Sequence, residues 1–190
     1  MNILVGCEFS GVVRQAFRNK GYEAYSLDIM PTEDNSPYHF QCELLDFMRQ
    51  CEHGAYPVKW DMGIFFPPCK YLCVSGARWF KDRQKEQEQA LDFVRSIMSL
   101  PIDKIAIENP IGVISTNIRK PDQIIQPWQF GHGETKSTCL WLKNLPLLKP
   151  TNIVEGRQPK IHYMSPSPNR SRDRSRTYTG IAQAMAEQWS

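Results

Sequence analysis

The sequence predicts a single α/β domain built on a mainly parallel sheet, and three observations point to it. Short apolar runs of strand length stand at Asn2–Cys7, Met62–Phe65 and Lys104–Ile107, with helical patterns between them. Residues 2–28 read as one β-α-β unit. Two of the apolar runs end in polar turns, Phe66-Pro67-Pro68-Cys69 and Glu108-Asn109-Pro110. Open parallel sheets collect their chemistry in such turns, at the carboxyl ends of strands. The 190 residues suit one domain with one core.

Taken in order, Asn2-Ile3-Leu4-Val5-Gly6-Cys7 is an apolar opening strand, and Glu8-Phe9-Ser10-Gly11 is a turn containing small residues. Val12 to Lys20 is a helix: Val12 or Val13, Ala16 and Phe17 recur at helical spacing, and Lys20-Gly21 is a stop signal. Tyr22 to Leu27 is a second strand, ending at Asp28. A turn of this kind lets a nucleoside-bearing ligand approach the backbone, and the strand-end acid can accept hydrogen bonds from two ribose hydroxyls. The same pattern also suits a plain crossover, with Asp28 a solvated acid.

Residues 30–40, with Pro31, Asn35, Ser36 and Pro37, read as loop, and Glu43 to Arg49 as a short helix. The strongest helical pattern runs over 78–100. Leu91, Val94 and Met98 form an apolar stripe flanked by Ala90 and Ile97, while Lys81, Arg83, Lys85 and Glu86 face water, and Leu100-Pro101 ends the helix. Gln123 to Trp128 and Ser137 to Leu142 read as further strands, 144–177 as irregular, and Gly180 to Glu187 as a closing helix within 178–189.

The formal net charge is +3, so no general electrostatic footprint for nucleic acid is evident. Locally, Arg170, Arg172, Arg174 and Arg176 lie in one short stretch that suits either phosphate contact or a solvated loop. Cys7, Cys42, Cys51, Cys69, Cys73 and Cys139 lie mostly inside or beside apolar runs, and no signal peptide or spanning segment is seen. The expected setting is a reducing cytoplasm, with free thiols and no membrane association. No metal is expected, because Cys69 and Cys73 lack a second Cys/His pair at ligand spacing.

The two strand-end turns carry the candidate chemistry. A proline-stiffened turn presents Cys69, and a helix following it would lower the thiol pKa. Glu108, delivered by a separate strand, pairs with it as an acid. Taken alone, Cys69 is equally a small buried apolar residue and Asn109-Pro110 an ordinary turn; their order and strand context favour nucleophile plus acid.

In this order the motifs resemble the DNA cytosine-5 methyltransferases, and more closely the short members found in bacteriophages and prophages. Phe9-Ser10-Gly11 matches the family's Phe-x-Gly-x-Gly cofactor turn, with Val13 in place of the second glycine. Asp28 matches the acid ending the second strand, Pro68-Cys69 the Pro-Cys nucleophile turn, and Glu108-Asn109-Pro110 the Glu-Asn-Val motif with proline for valine. Glu134-Thr135-Lys136-Ser137-Thr138 fits best where the family has Gln-x-Arg-x-Arg, and the segment from Thr179 fits its closing helix. Phe65-Phe66 stands where the family usually has small residues. Only the stretch from Leu142 to Thr179 lies where full-length members carry a target-recognition domain.

The resemblance implies a Rossmann-like fold dependent on S-adenosylmethionine, with Glu8, Phe9, Ser10, Gly11, Asp28 and Pro67 on the cofactor side. It implies that the Cys69 thiolate adds to cytosine C6, that protonated Glu108 hydrogen-bonds N3, and that Asn109 holds the loop carrying Glu108. Lys136 then contacts base or phosphate, or is an ordinary surface lysine. The partner implied is cytosine-containing DNA, single-stranded or with the base extruded, in a bacterial host's cytoplasm if phage-encoded. Two other readings share the motifs: a different cytosine C5 modification on DNA or nucleotide, suggested by Val13 and Phe65-Phe66, and a non-catalytic nucleic-acid-binding or inhibitor protein.

Overall fold

In the computed structural model, which describes residues 1–56, 58–74 and 82–190, seven strands form one sheet. The strands are β1 (Asn2–Gly6), β2 (Glu23–Asp28), β3 (His39–Gln41), β4 (Met62–Phe65), β5 (Lys104–Pro110), β6 (Gln123–Ile125) and β7 (Thr138–Lys143). The helices are α1 (Val12–Asn19), α2 (Leu44–Glu52), α3 (Gln84–Met98), α4 (Ile114–Asn117), α5 (Lys160–Tyr163), α6 (Arg170–Ser175) and α7 (Thr179–Gln188). The spatial order is β3-β2-β1-β4-β5-β7-β6. β1 to β5 pair in parallel, while β7 runs antiparallel to both β5 and β6. This is the α/β, Rossmann-like fold that the sequence predicts.

Alternation along the strands makes the two layers. Ile3, Val5, Met62, Ile64, Ala106 and Leu140 join Val13 and Phe17 of α1 and Ile181, Ala184 and Met185 of α7 in one buried cluster. Leu4, Phe65, Ile105, Ile107, Cys139 and Trp141 join Phe47 of α2 and Leu91, Val94 and Ile97 of α3 in the other. Successive residues point to opposite faces of a strand, so a strand covered on both sides must be apolar at every position, as Met62–Phe65 is.

Phe65 and Val13 bear on the expectation of crowding. The Phe65 ring lies where a Cβ on Gly6 or Gly63 would meet it at 2.5 Å or 2.4 Å, so these two glycines give it room within the sheet. Val13 faces the α1–α7 cluster. Both side chains therefore belong to the core and take no space from the turn after β1. Phe66 is half-buried and packs against the same cluster as Val13.

Several boundaries differ from the sequence expectations. The stretch 30–40, expected as loop, ends in β3, whose Ser26–His39 pairing adds an edge strand. β6 stops at Ile125 because Pro127 opens a 3-10 turn over Pro127–Gln129. Helix α3 begins at Gln84; the part of the expected helix at 78–81 lies outside the described residues. The irregular stretch 144–177 contains the short helices α5 and α6. Among the described residues, no helix is long and apolar enough to cross a membrane.

Candidate active site

The strand order reverses direction at β1 and β4: β2 and β3 lie outward on one side, β5 and β7 on the other. Loops leaving the carboxyl ends of β1 and β4 diverge there and open a crevice, the usual ligand position in such sheets. The turn after β1 carries Cys7 to Gly11, and the loop after β4 carries Phe66 to Cys69.

The β1 turn is tightly fixed. Cys7 adopts φ 59° and Gly11 φ 70°, both left-handed, which a cysteine adopts only where its surroundings hold it. A Cβ at Gly11 would lie 2.3 Å from the Arg14 guanidinium, so the position has neither the conformation nor the room for a side chain. The Glu8 amide donates to the Leu27 carbonyl at 3.1 Å, joining the turn to the end of β2. Phe66 N–H likewise donates to the Gly6 carbonyl at 3.0 Å, joining it to the loop after β4.

Glu8 itself is buried, and its carboxylate accepts from the amides of Val13 at 2.7 Å and Arg14 at 3.2 Å. It caps the first turn of α1, where Gly11 offers no side chain. Burial pushes its carboxyl up to about 7, against the lowering influence of those amides and the Arg14 charge. Both Glu8 oxygens are thus occupied under the helix. Ser10 leans on the same carboxylate at 3.5 Å. Phe9 is buried and its carbonyl accepts from the Glu33 amide at 3.0 Å.

Asp28 ends β2 beside this turn and is half-buried. Its Oδ1 accepts the Met30 amide at 2.9 Å. Burial raises its pKa, and its charge in turn helps push the Cys7 thiol up. The carboxyl ends of β1, β4 and β2 therefore carry a fixed backbone turn, buried Pro67 and a half-buried carboxylate. This donor and acceptor set suits a nucleoside, whose ribose hydroxyls donate to a carboxylate.

Cys69 and Glu108 leave adjacent parallel strands, β4 and β5, which pair Phe65 with Ile107. The two loops are joined twice. The buried Asn109 side chain donates to the Pro67 carbonyl at 2.7 Å, so it holds the loop carrying Cys69, where the sequence reading had it hold the loop of Glu108. Further on, Val113 N–H donates to the Leu72 carbonyl at 2.9 Å and Val74 N–H to the Ile111 carbonyl at 3.2 Å, with Cys73 and Gly112 bridged between them. A Cβ on Gly112 would stand 1.9 Å from the Leu72 carbonyl oxygen. Backbone cannot yield like a flexible side chain, so Gly112→Ala should cost about 1–3 kcal/mol and separate the loops. A lowered thermal midpoint by circular dichroism checks this; an unchanged midpoint would show that the second junction contributes little.

The reversed direction of β7 adds a third source of side chains. Its first residues lie beside the carboxyl end of β5, with Thr138 opposite Pro110 and Leu140 opposite Glu108. The Thr138 hydroxyl donates to the Lys136 carbonyl at 3.2 Å, and Thr138 and Lys136 both favour the charged form of the Glu108 carboxylate. Burial raises the Glu108 pKa, with Lys136 and Thr138 offsetting part of the rise. Cys69 is exposed at its turn, and its thiol is pushed up by desolvation, then by Cys73 and Glu108, with Lys136 pulling it down.

The expected lowering of the thiol pKa by a helix dipole is therefore reversed. A single turn follows Cys69, whose carbonyl accepts the amides of Leu72 and Cys73 at 3.0 Å each. Desolvation of the thiol, with Cys73 and Glu108 adding to it, outweighs that local field. Lys136 is the nearby positive charge acting on both Cys69 and Glu108, and its Nζ also donates to the Arg174 carbonyl at 2.9 Å. Its ammonium lies 5.8 Å from the centroid of the Tyr178 ring.

Sequence reasoning gave no role of their own to Thr138, Gly112 and Glu33. The first is legible only through the antiparallel register of β7, the second only through a backbone approach between loops. Glu33 holds Arg172 and Arg176, a contact between distant parts of the chain. Among the described residues no group of three or more His, Cys, Asp or Glu could hold a metal ion.

No family model matches the chain, and no curated protein does. Among solved structures it is similar to a crystal structure provisionally described as a DNA modification methyltransferase encoded within an E. coli prophage. The identity is 14% and the TM-score 0.55, over 82% of this chain and 52% of that one. This chain therefore spans about half the length of that neighbour, and at such identity the likeness is one of fold.

Proposed function

We propose that the chain is a DNA methyltransferase that uses S-adenosylmethionine and modifies cytosine at C5 through a covalent Cys69 adduct. The observation that carries this reading is the pairing of Cys69 with Glu108 at the ends of adjacent strands, their loops joined by Asn109 and opening beside the β1 turn. A fold shared with a protein described as a DNA modification methyltransferase supports it.

The β1 turn, Asp28 and Pro67 fit the cofactor: the turn is held in a fixed left-handed conformation at Cys7 and Gly11, and Asp28 has an oxygen beyond the one bound to Met30. The cofactor's contribution is an electrophilic methyl group. Every other part of the chemistry falls to the chain. Cytosine C5 is a poor nucleophile until a thiolate adds at C6, forming the S–C6 bond and moving the ring's electron pair toward C5. Burial raises the Glu108 pKa, and in its protonated form Glu108 donates a hydrogen bond to N3 and takes up the charge that attack creates there. Lys136 favours the thiolate through its charge. Loss of the C5 proton then re-forms the double bond and expels the Cys69 thiolate. A stacked base cannot enter such a crevice, so the substrate is single-stranded or its base is extruded.

The test is incubation with DNA and methyl-labelled S-adenosylmethionine, followed by nucleoside mass analysis. 5-Methyldeoxycytidine is the expected product. A different C5 adduct, a label on another base or no modification on any DNA would each overturn the reading. Asp28→Ala should weaken cofactor binding by about 1–3 kcal/mol, the loss of hydrogen bonds to a charged group. Calorimetry checks it, and unchanged affinity would move the cofactor away from this turn.

A further inference from the structure

We infer that α6 is a phosphate clamp for the nucleic-acid strand whose base enters the site, with Arg170 and Arg174 as its contacts. The inference rests on the reading of Cys69 and Glu108 as a site for a base carried in DNA.

The four arginines of this segment fall on two sides of the helix. Residues four apart share a face, so Arg170 and Arg174 lie on one and Arg172 on the other, while Arg176 follows the helix in extended backbone and joins Arg172 on Glu33. The second pair is fixed. Arg172 Nε donates to Glu33 at 2.8 Å, and Arg176 donates to both Glu33 oxygens at 2.9 Å and 2.6 Å and to Asp173 at 2.8 Å. The Arg172 guanidinium also lies 5.5 Å from the centroid of the Phe9 ring, which ties this face to the β1 turn. Glu33 is itself bound to Phe9 through its backbone amide.

The first pair is differently placed. Four guanidiniums face two carboxylates, Glu33 and Asp173, and both carboxylates are taken by Arg172 and Arg176. Among the described residues neither Arg170 nor Arg174 forms an ion pair, and Arg170 Nε is buried without a hydrogen-bond partner. Lys136 draws the same segment to the reaction centre by donating to the Arg174 carbonyl. The helix is thus anchored at the cofactor turn through one face and at Lys136 through its backbone, while two uncompensated positive charges remain. A guanidinium presents a fork of donors that matches a phosphate, and a strand lying beside Cys69 supplies phosphates on either side of its target base.

The test is equilibrium binding of a fluorescein-labelled single-stranded DNA oligonucleotide by anisotropy, from about 50 to 200 mM salt. R170Q/R174Q should bind on the order of tenfold more weakly at the lowest salt. The slope of log affinity against log salt should fall by about 1.4, the value for two single-strand phosphate contacts. R170K/R174K keeps the charge and should keep the slope. Unchanged slope and affinity in R170Q/R174Q, or an equal loss of slope in both variants, would overturn the clamp. Trapping by 5-fluorocytosine DNA is scored separately on the wild type. Absence of trapping with the slope change intact would overturn the cytosine chemistry and leave the clamp standing.

Discussion

Cys69→Ser should abolish covalent trapping on DNA carrying 5-fluorocytosine, while Cys73→Ser leaves most of it intact. Fluorine at C5 cannot be lost as the proton is, so the adduct persists after methyl transfer and appears as a protein–DNA band that survives denaturation. Serine keeps the size of the side chain, but its hydroxyl is far less acidic than a thiol. Cys73 is the control because it lies one helical turn away, in the same loop, with its amide bound to the Cys69 carbonyl. A band that persists in Cys69→Ser would remove the nucleophile, and loss of trapping in Cys73→Ser alone would move it by four positions.

Glu108→Ala should lower the rate of methyl transfer by on the order of 10²–10³-fold, the usual loss for one preorganised donor at a developing charge. Glu108→Gln should recover part of it, since its amide donates a hydrogen bond at every pH. The pH profile separates the two contributions. Burial raises the Glu108 pKa, so its proton is held below the shifted value and lost as pH rises through it. The raised Cys69 pKa acts in the opposite sense, since more thiolate forms as pH rises. The wild type should show a bell, and Glu108→Gln should lose its alkaline limb. An alkaline limb that persists in Glu108→Gln would assign it to another group.

The fold was legible because both faces of the sheet need apolar cover. Runs such as Ile3-Leu4-Val5 and Ile105-Ala106-Ile107 are unbroken, and the residues that follow them change character abruptly. The loop carrying Cys69 and the strand carrying Glu108 were legible for the same reason. The direction of β7 was not, because Thr138-Cys139-Leu140-Trp141-Leu142 reads the same in a parallel or antiparallel place. That ambiguity hid Thr138. The capping contact of Glu8 was not legible either, because it depends on the amides of Val13 and Arg14 lying over an acid that follows the first strand. That Val13 and Phe65 face the core was not legible, since it depends on the phase of α1 and on the glycines beside Phe65.

The reversed β7 has a consequence for how this chain acquires competence as it is made. Cys69 and Glu108 emerge from synthesis well before Lys136, and the pairings among β1 to β5 involve no later strand. At that stage β5 is an open edge, and the Glu108 carboxyl has neither Thr138 nor Lys136. Docking of β7 closes the edge and completes the electrostatic surroundings of the thiol in one event. Such a late, long-range pairing is slow compared with local helix formation. Folding intermediates should therefore carry a reactive cysteine before they carry a working one, and thiol-alkylation during refolding should label Cys69 at a rate that changes when β7 joins the sheet.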